Sequence, residues 1–321
     1  MSTPRSLPTT VTDPEEAMTH SIQTTVLDTP PVRDVPPTPR AAADPSFTST
    51  LVSTIGSLGP SIIVPLILLL GLIAAAVIPS VLTPSGPLDM NPAEAFTAPG
   101  AAHWFGTDES GRDVYSRVIH GARSSLLIGI LATVIGLGLA LVLGAIAGLG
   151  TRAVDFGVSR FLEVLFAFPG LLLALLVITI LGPGVVTTTI AVGLSAAPGY
   201  ARMIRSQVLS IRGSGYVEAS IVQGKSRAFI IRHHILPNVA APLFVLATLG
   251  VGQAIVWASS LSFLGLGATP PDPEWGSMLS LGRLYIGNAW WLTVFPGLFI
   301  VLSAATTTLL GHGIQRKLKD K

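Results

Sequence analysis

None of the 321 residues is cysteine. Disulfides, thiolate nucleophiles and cysteine-ligated metals are therefore excluded, and function must rest on other side chains. Charge is nearly as scarce. Only 11% of residues are charged and 50% are hydrophobic, a balance too apolar for an ordinary soluble domain and expected of an all-α polytopic membrane protein. The net charge of +2 does not imply nucleic acid as a partner. The basic start and apolar core of a signal peptide are missing too, so the first apolar run is expected to be an anchor and not a cleaved leader. A phosphate loop is also absent: "GHGIQRK" near the end has the wrong spacing for one and follows an apolar run, not a strand. No nucleophile, base and acid fall together, which leaves a non-enzymatic chain with no cofactor of its own.

What the chain does contain is long charge-free runs. Residues 1–58 are set apart by recurrent proline among Thr, Asp and Ala with no apolar period, the composition of a disordered cytoplasmic tail. Residues 59–312 are expected to form the membrane domain, and 313–321 a short basic tail. A hydrocarbon core about 30 Å thick needs roughly 20 apolar residues. Runs of that kind predict spans at Ile62–Val81, Ser124–Gly150, two within Val164–Ala201 joined by the turn "LGPGV" and extending to about Ile204, then Val239–Phe263 and Trp290–Leu310. Arg202 and Arg205 are expected to snorkel at the end of the fourth. Six spans put both termini on one side, with Arg152, Arg160, Arg202, Arg205, Arg212, Lys225, Arg227, Arg232 and the last lysines. The other side has Arg112, Arg117, Arg123 and Arg283, so the termini face the cytoplasm. Small residues in "GAIAG" suit helix packing, within the chain or at a subunit interface. Span interiors hold no firm ionisable group apart from Glu163 at the entrance to the third, which points to an energy source outside the chain. An ATP-independent secondary transporter or channel subunit is the alternative of another class.

The stretch "YVEASIVQGKSRAFIIRHHILPN", Tyr216 to Asn238, interrupts this pattern. The six cations from Arg202 to Arg232 would oppose insertion into lipid by on the order of 15 kcal/mol, so the loop of about 208–236 stays in the cytoplasm. Val217 and Ile221 should share the apolar face of one short helix, with Gly224 as its left-handed stop. Ser226 should cap a second helix that turns Ala228, Phe229 and Ile231 to an apolar surface and ends near Leu236, with Pro237 in the first turn of the next span. Such an elbow suits a docking knob. Adjacent His233 and His234 point about 100° apart on a helix and do not converge on one metal.

Glu218, Ala219 and Ser220, then Gly224 six residues after the acid, then "HILP" at His234 to Pro237, resemble the EAA loop of ABC-importer permeases. The resemblance implies a type I importer permease fold in which Glu218 and Ala219 contact a separate ATPase, Gly224 permits the turn, and His234 and Pro237 fix the join to the next span. Ser220 stands where the family usually has Ala.

On the other side, "HWFGTDESGRDVYSRVIHGARSSLLIG" should place a short surface helix on the bilayer, capped by Thr107 or Asp108, with Asp113 paired to Arg117. Its acids lack the alternating order of a calcium loop. The string Gly106, Thr107, Asp108, Gly111, Arg112, Asp113 closely resembles a hallmark of the C-type permease of dipeptide, oligopeptide and nickel ABC importers, as do "SSLSFLGLGATPPDPEWGSML" and "WWLTVFPGLFIVL". His312 stands where that family commonly has an acid. The resemblance spans residues 60–312. It implies a bacterial cytoplasmic-membrane protein that forms half of a pathway for di- or oligopeptides, with nickel or a metal chelate as the alternative. The implied partners are a second permease, ATP-binding subunits that hold ATP and Mg, an extracytoplasmic binding lipoprotein, membrane lipid and the peptide itself.

Overall fold

The computed structural model describes residues 60–319, so the expected tail at 1–58 lies outside the described residues. Helices make up the described part: α1 Pro60–Val77, α2 Val114–Leu149, α3 Arg152–Phe166, α4 Gly170–Leu181, α5 Val185–Arg212, α6 Gly215–Val222, α7 Arg227–Ile230, α8 Leu236–Phe263, α9 Trp275–Gly282 and α10 Trp291–Lys319. Residues 313–319, expected as a tail, continue α10 without a break.

Among the described residues, three helical segments are long and apolar enough to cross a membrane, Val114–Leu149, Pro242–Phe263 and Trp291–Lys317; α3 and α4 together make a fourth if counted as one broken span. Six spans were expected, and the difference has identifiable causes. The third apolar run breaks at Phe168-Pro169, where proline denies the helix a donor, and the chain bends by 89° between α3 and α4. The 12 residues of α4 rise only about 18 Å, short of a hydrocarbon core. The partner helix of the expected hairpin, α5, does follow a glycine turn, Gly182 and Gly184 both having positive φ, but it is 28 residues long and polar towards its end. The surface helix expected before the second span does not exist separately. It is the first part of α2, which starts at Val114 and whose 36 residues extend roughly 54 Å.

The most extensive helix pair is α2 against α5. Close approach comes from small residues: a Cβ on Gly136 would lie 2.9 Å from the Gly193 carbonyl, and one on Gly144 would lie 2.8 Å from that of Ala201. In lipid, where apolar burial between helices gains little, such contact is the main source of association. The "GAIAG" glycines Gly144 and Gly148 are thus used within the chain.

Three apolar clusters follow the length of the bundle. One joins α2 to Trp275, Trp291 and Ile300 near the α2 N-terminus. A second lies around Ile128, Ile178 and Leu261. The third joins Leu162 of α3, Ile204 and Val208 of α5, Val217 of α6 and Ile230, Ile235 and Val239 of the segment leading into α8. The short loop helices therefore share a core with the ends of the long ones.

Candidate functional site

The two groups of sequence-selected residues lie at opposite ends of α2, one before its N-terminus and the other beside its C-terminus, where Arg212 Nη1 donates to the Gly148 carbonyl at 3.3 Å.

At the second end, α6 begins after Ser214 and is stopped by Gly224, whose φ is 74°. The Gly224 N–H donates to the Ile221 carbonyl at 2.9 Å and the Lys225 N–H to that of Ser220 at 3.1 Å. This pair of bonds is the Schellman motif, which needs a left-handed residue at the position Gly224 holds. A Cβ there would meet nothing within 4 Å, so the demand for glycine is purely conformational. Ser226 then caps α7, accepting from the Phe229 N–H at 3.3 Å, as its sequence position predicts.

The buried face differs from the expected one. Val217 is 1% exposed and Ser220 8%, whereas Ile221 is 58% exposed. Beyond the turn, Ile230 and Ile235 are buried, Ala228 is exposed, and Phe229 and Ile231 are half-buried. A helix of eight residues follows its neighbours' surface more than its own apolar count. Glu218 and Ala219 consequently point outward with Ile221 and Val222, so that one acid stands in an exposed apolar surface.

The second loop helix does not end before the next span either. Residues Ile231–Ile235 form a π turn, the Leu236 N–H donating to the Ile231 carbonyl, and the chain passes directly into α8. Pro237 lacks an N–H and its ring would crowd the carbonyl of His233, so a wider turn relieves the clash. The Asn238 side-chain amide donates to the His234 carbonyl at 2.6 Å. Ser220 and His234 are brought together here: the Ser220 hydroxyl donates to the Tyr216 carbonyl at 2.9 Å and lies 3.0 Å from His234 Nε2. The hydroxyl that replaces a methyl surface thus braces α6 against the π turn. His233 turns away, stacked on Phe229 at 4.1 Å.

At the other end, the residues Gly106 to Asp113 are engaged with one another and with the bundle. Gly106 and Gly111 have positive φ, and a Cβ on Gly111 would overlap the Asn91 carbonyl. Asp108 accepts from the backbone N–H of Ser110 and Arg112 and from Arg112 Nε at 2.7 Å. The α2 cap is Asp113, which accepts from the Ser116 N–H at 2.7 Å; neither Thr107 nor Asp108 fills that role. Arg117 faces Asp108 at 3.5 Å instead of Asp113, and its Nη atoms donate to the carbonyls of Pro87 and Pro271. The Thr107 carbonyl accepts from the Trp291 indole at 3.0 Å. His103 lies between Asp113 at 2.9 Å and Glu94 at 3.3 Å, and its hydrogen bond to Asp113 raises its pKa above the ordinary histidine value.

Two further residues escape a reading by local pattern. Glu274, 1% exposed, caps α9 through the N–H groups of Gly276 and Ser277 and accepts from Ser125 of α2, while burial pushes its carboxyl above the usual range. Arg205, expected to snorkel, makes a two-pronged pair with Asp155 of α3, with Nη2 to Oδ2 at 2.7 Å. Nothing in the local sequence announces that partner.

Residues 140–320 match the family described as binding-protein-dependent transport system inner membrane component. A dipeptide transport system permease protein of Alkalihalophilus pseudofirmus is 42% identical over 259 residues, covering 81% of this chain and 85% of that one. A di/tripeptide transport system permease protein of Pseudomonas aeruginosa is 44% identical over 67% of this chain and 71% of its own. In an inward-facing methionine ABC transporter, one chain superposes with a TM-score of 0.52 at 20% identity, over 62% of this chain and 95% of its own, a likeness of fold.

Proposed function

The chain belongs to the binding-protein-dependent transport system inner membrane component family, and from that premise we propose that it is a permease subunit of an ATP-driven importer of di- or oligopeptides. ATP hydrolysis is supplied by separate subunits, since this chain has no phosphate loop. In this reading the chain crosses the bacterial cytoplasmic membrane six times, α3 and α4 forming one broken span, with both termini and the α6–α7 elbow in the cytoplasm. A second permease completes the pathway, and a binding protein delivers peptide to the Gly106–Asp113 end. Permeases named for dipeptides and for di/tripeptides, each more than two-fifths identical, favour peptide over nickel.

The observation that carries the proposal is the way α6 divides its surface. Val217 and Ser220 enter the core shared with α3, α5 and α8, while Glu218 and Ala219 face outward on a turn fixed by Gly224. A partner that moves the exposed face moves the helix ends through the buried one. Closure of two ATPase subunits on ATP would thereby change which side of the pathway is open. The site roles of Glu218, Ala219, Ser220, Gly224, His234 and Pro237 follow: the first two touch the motor, Gly224 sets the turn, and the others hold the elbow to α8. In the purified complex, Glu218→Lys should leave assembly intact and abolish the stimulation of ATP turnover by peptide-loaded binding protein. Unchanged stimulation would remove Glu218 from the contact.

A further inference from the structure

A cavity of about 930 Å³ is walled by the break between α3 and α4, by α5 and by α8. Its walls are mainly apolar, with Phe166 at the break among them. Polar groups in such a place cost several kcal/mol unless they are paired. Three polar side chains among the lining residues, Tyr200, Gln253 and Trp257, have no hydrogen-bond partner among the described residues. Tyr200 reaches α8 at Gly250, where a Cβ would come 2.7 Å from its hydroxyl oxygen. Gln253 and Trp257 follow Gly250 at successive turns of α8, about 5–6 Å apart. A peptide in extended form presents the same edge every two residues, about 6.6 Å, close to the spacing of Gln253 and Trp257, so neutral donors and acceptors placed there suit main-chain amides whatever the side chains.

Charge distinguishes one part of the cavity wall. Arg202 also lines the cavity, its guanidinium 4.4 Å from the centre of the Phe166 ring. Arg205, three residues on, is committed to Asp155, whereas no acid among the described residues pairs with Arg202. Nor does any acid line the cavity. Arg202 lies on α5 about 15 Å before the helix ends at Arg212. An arginine that lines an apolar cavity without an acid partner is available to an anionic ligand.

We propose that this cavity receives the peptide in transit, with Arg202 binding its terminal carboxylate and Tyr200, Gln253 and Trp257 bonding its main chain. The proposal rests on the peptide-import reading. It makes this subunit selective for a free C-terminus and indifferent to side chains.

Because the chain has no cysteine, Gln253→Cys introduces its sole thiol. In the assembled complex without binding protein or nucleotide, alkylation of that thiol by N-ethylmaleimide is followed by mass spectrometry of this chain. Saturating dialanine should slow the reaction, and dialaninamide should protect about tenfold less well, the size of one lost charge-assisted hydrogen bond. Adding Arg202→Gln should erase the difference between the two peptides, and Arg202→Lys should restore part of it. A thiol that reacts equally fast with and without dialanine overturns the proposal. So does a thiol that never reacts, because the cavity is then filled by lipid or by the second permease. Uptake of dialanine by the unsubstituted complex in liposomes keeps the two readings apart: no uptake defeats peptide import itself, while uptake with an unprotected thiol defeats only this site.

Discussion

The two ends of α2 carry sequence signatures of similar length, and they use their charges in opposite ways. Around Asp108 and Asp113 the charges are buried and turned on one another: Asp108 holds Arg112 and Arg117, and Asp113 caps the helix. Around Glu218 the single acid is exposed, and the groups that hold the elbow are a glycine turn, a serine and a histidine. A signature satisfied internally builds the fold. A signature with its acid left outward, beside exposed Ile221 and Val222, is available to a partner. The first should therefore fail by unfolding and the second by uncoupling.

That contrast is broken most forcefully at Asp108. Asp108→Ala removes the carboxylate shared by two buried guanidinium groups, leaving Arg112 only Glu109 and Arg117 only backbone carbonyls, and takes an acceptor from two backbone N–H groups, so a loss of about 3 kcal/mol is expected, seen as low yield and early thermal unfolding of the purified complex. A normal melting temperature would show that this end is not held by its charges. Next in size is Gly224→Val, which forces a β-branched residue into positive φ at about 1–3 kcal/mol, with Gly224→Asn milder because asparagine tolerates the left-handed region. Its signature is reduced stimulation of ATP turnover at near-normal yield. Ser220→Ala, which removes the brace to His234, should cost about 1 kcal/mol and alter coupling less than Gly224→Val does. Equal effects of the two would mean that the brace, and not the turn, sets the elbow.

The smallest effect concerns pH. A raised His103 pKa means that the folded loop binds the proton more tightly than the unfolded chain does. The resulting stability is complete below the ordinary value of 6.5 and is lost as pH rises through the folded value. Thermal unfolding should therefore move to slightly lower temperature above that range, and His103→Gln should flatten the dependence. A pH response confined to the elbow would contradict the assignment to this end.

Much of the elbow was legible because its rules are local. Gly224 and Ser226 act through bonds to residues within a few positions, and both fall where helix-stop and helix-cap chemistry put them. Which side of α6 is buried was not legible. An eight-residue helix with Val217, Ile221 and Val222 can be turned either way, and the choice is made by Ile204, Val208 and Ile230 from other elements. Counting apolar runs located α1, α2, α4, α5, α8 and α10, but it missed most of α3, whose residues include Arg152, Asp155 and Arg160, and the break at Pro169. A charge-free run does not reveal a right-angle turn. Arg202 and Arg205 looked alike in sequence, both expected to snorkel, and they separated only when Asp155 was brought across from α3 to one of them. Glu274, Tyr200 and Gln253 derive their significance from contacts or from missing partners more than a hundred residues away or across helices, which no local spacing encodes.

The central claim is that the exposed face of α6 touches the motor while its other face belongs to the bundle. It is tested most directly by placing the chain's only thiol at Ala219 or at Val217 and treating the assembled complex with a short bifunctional crosslinker. Ala219→Cys should join this chain to an ATP-binding subunit, with a yield that changes when ATP is bound, and Val217→Cys should not. Crosslinking to the ATPase from Val217→Cys and none from Ala219→Cys would contradict the account.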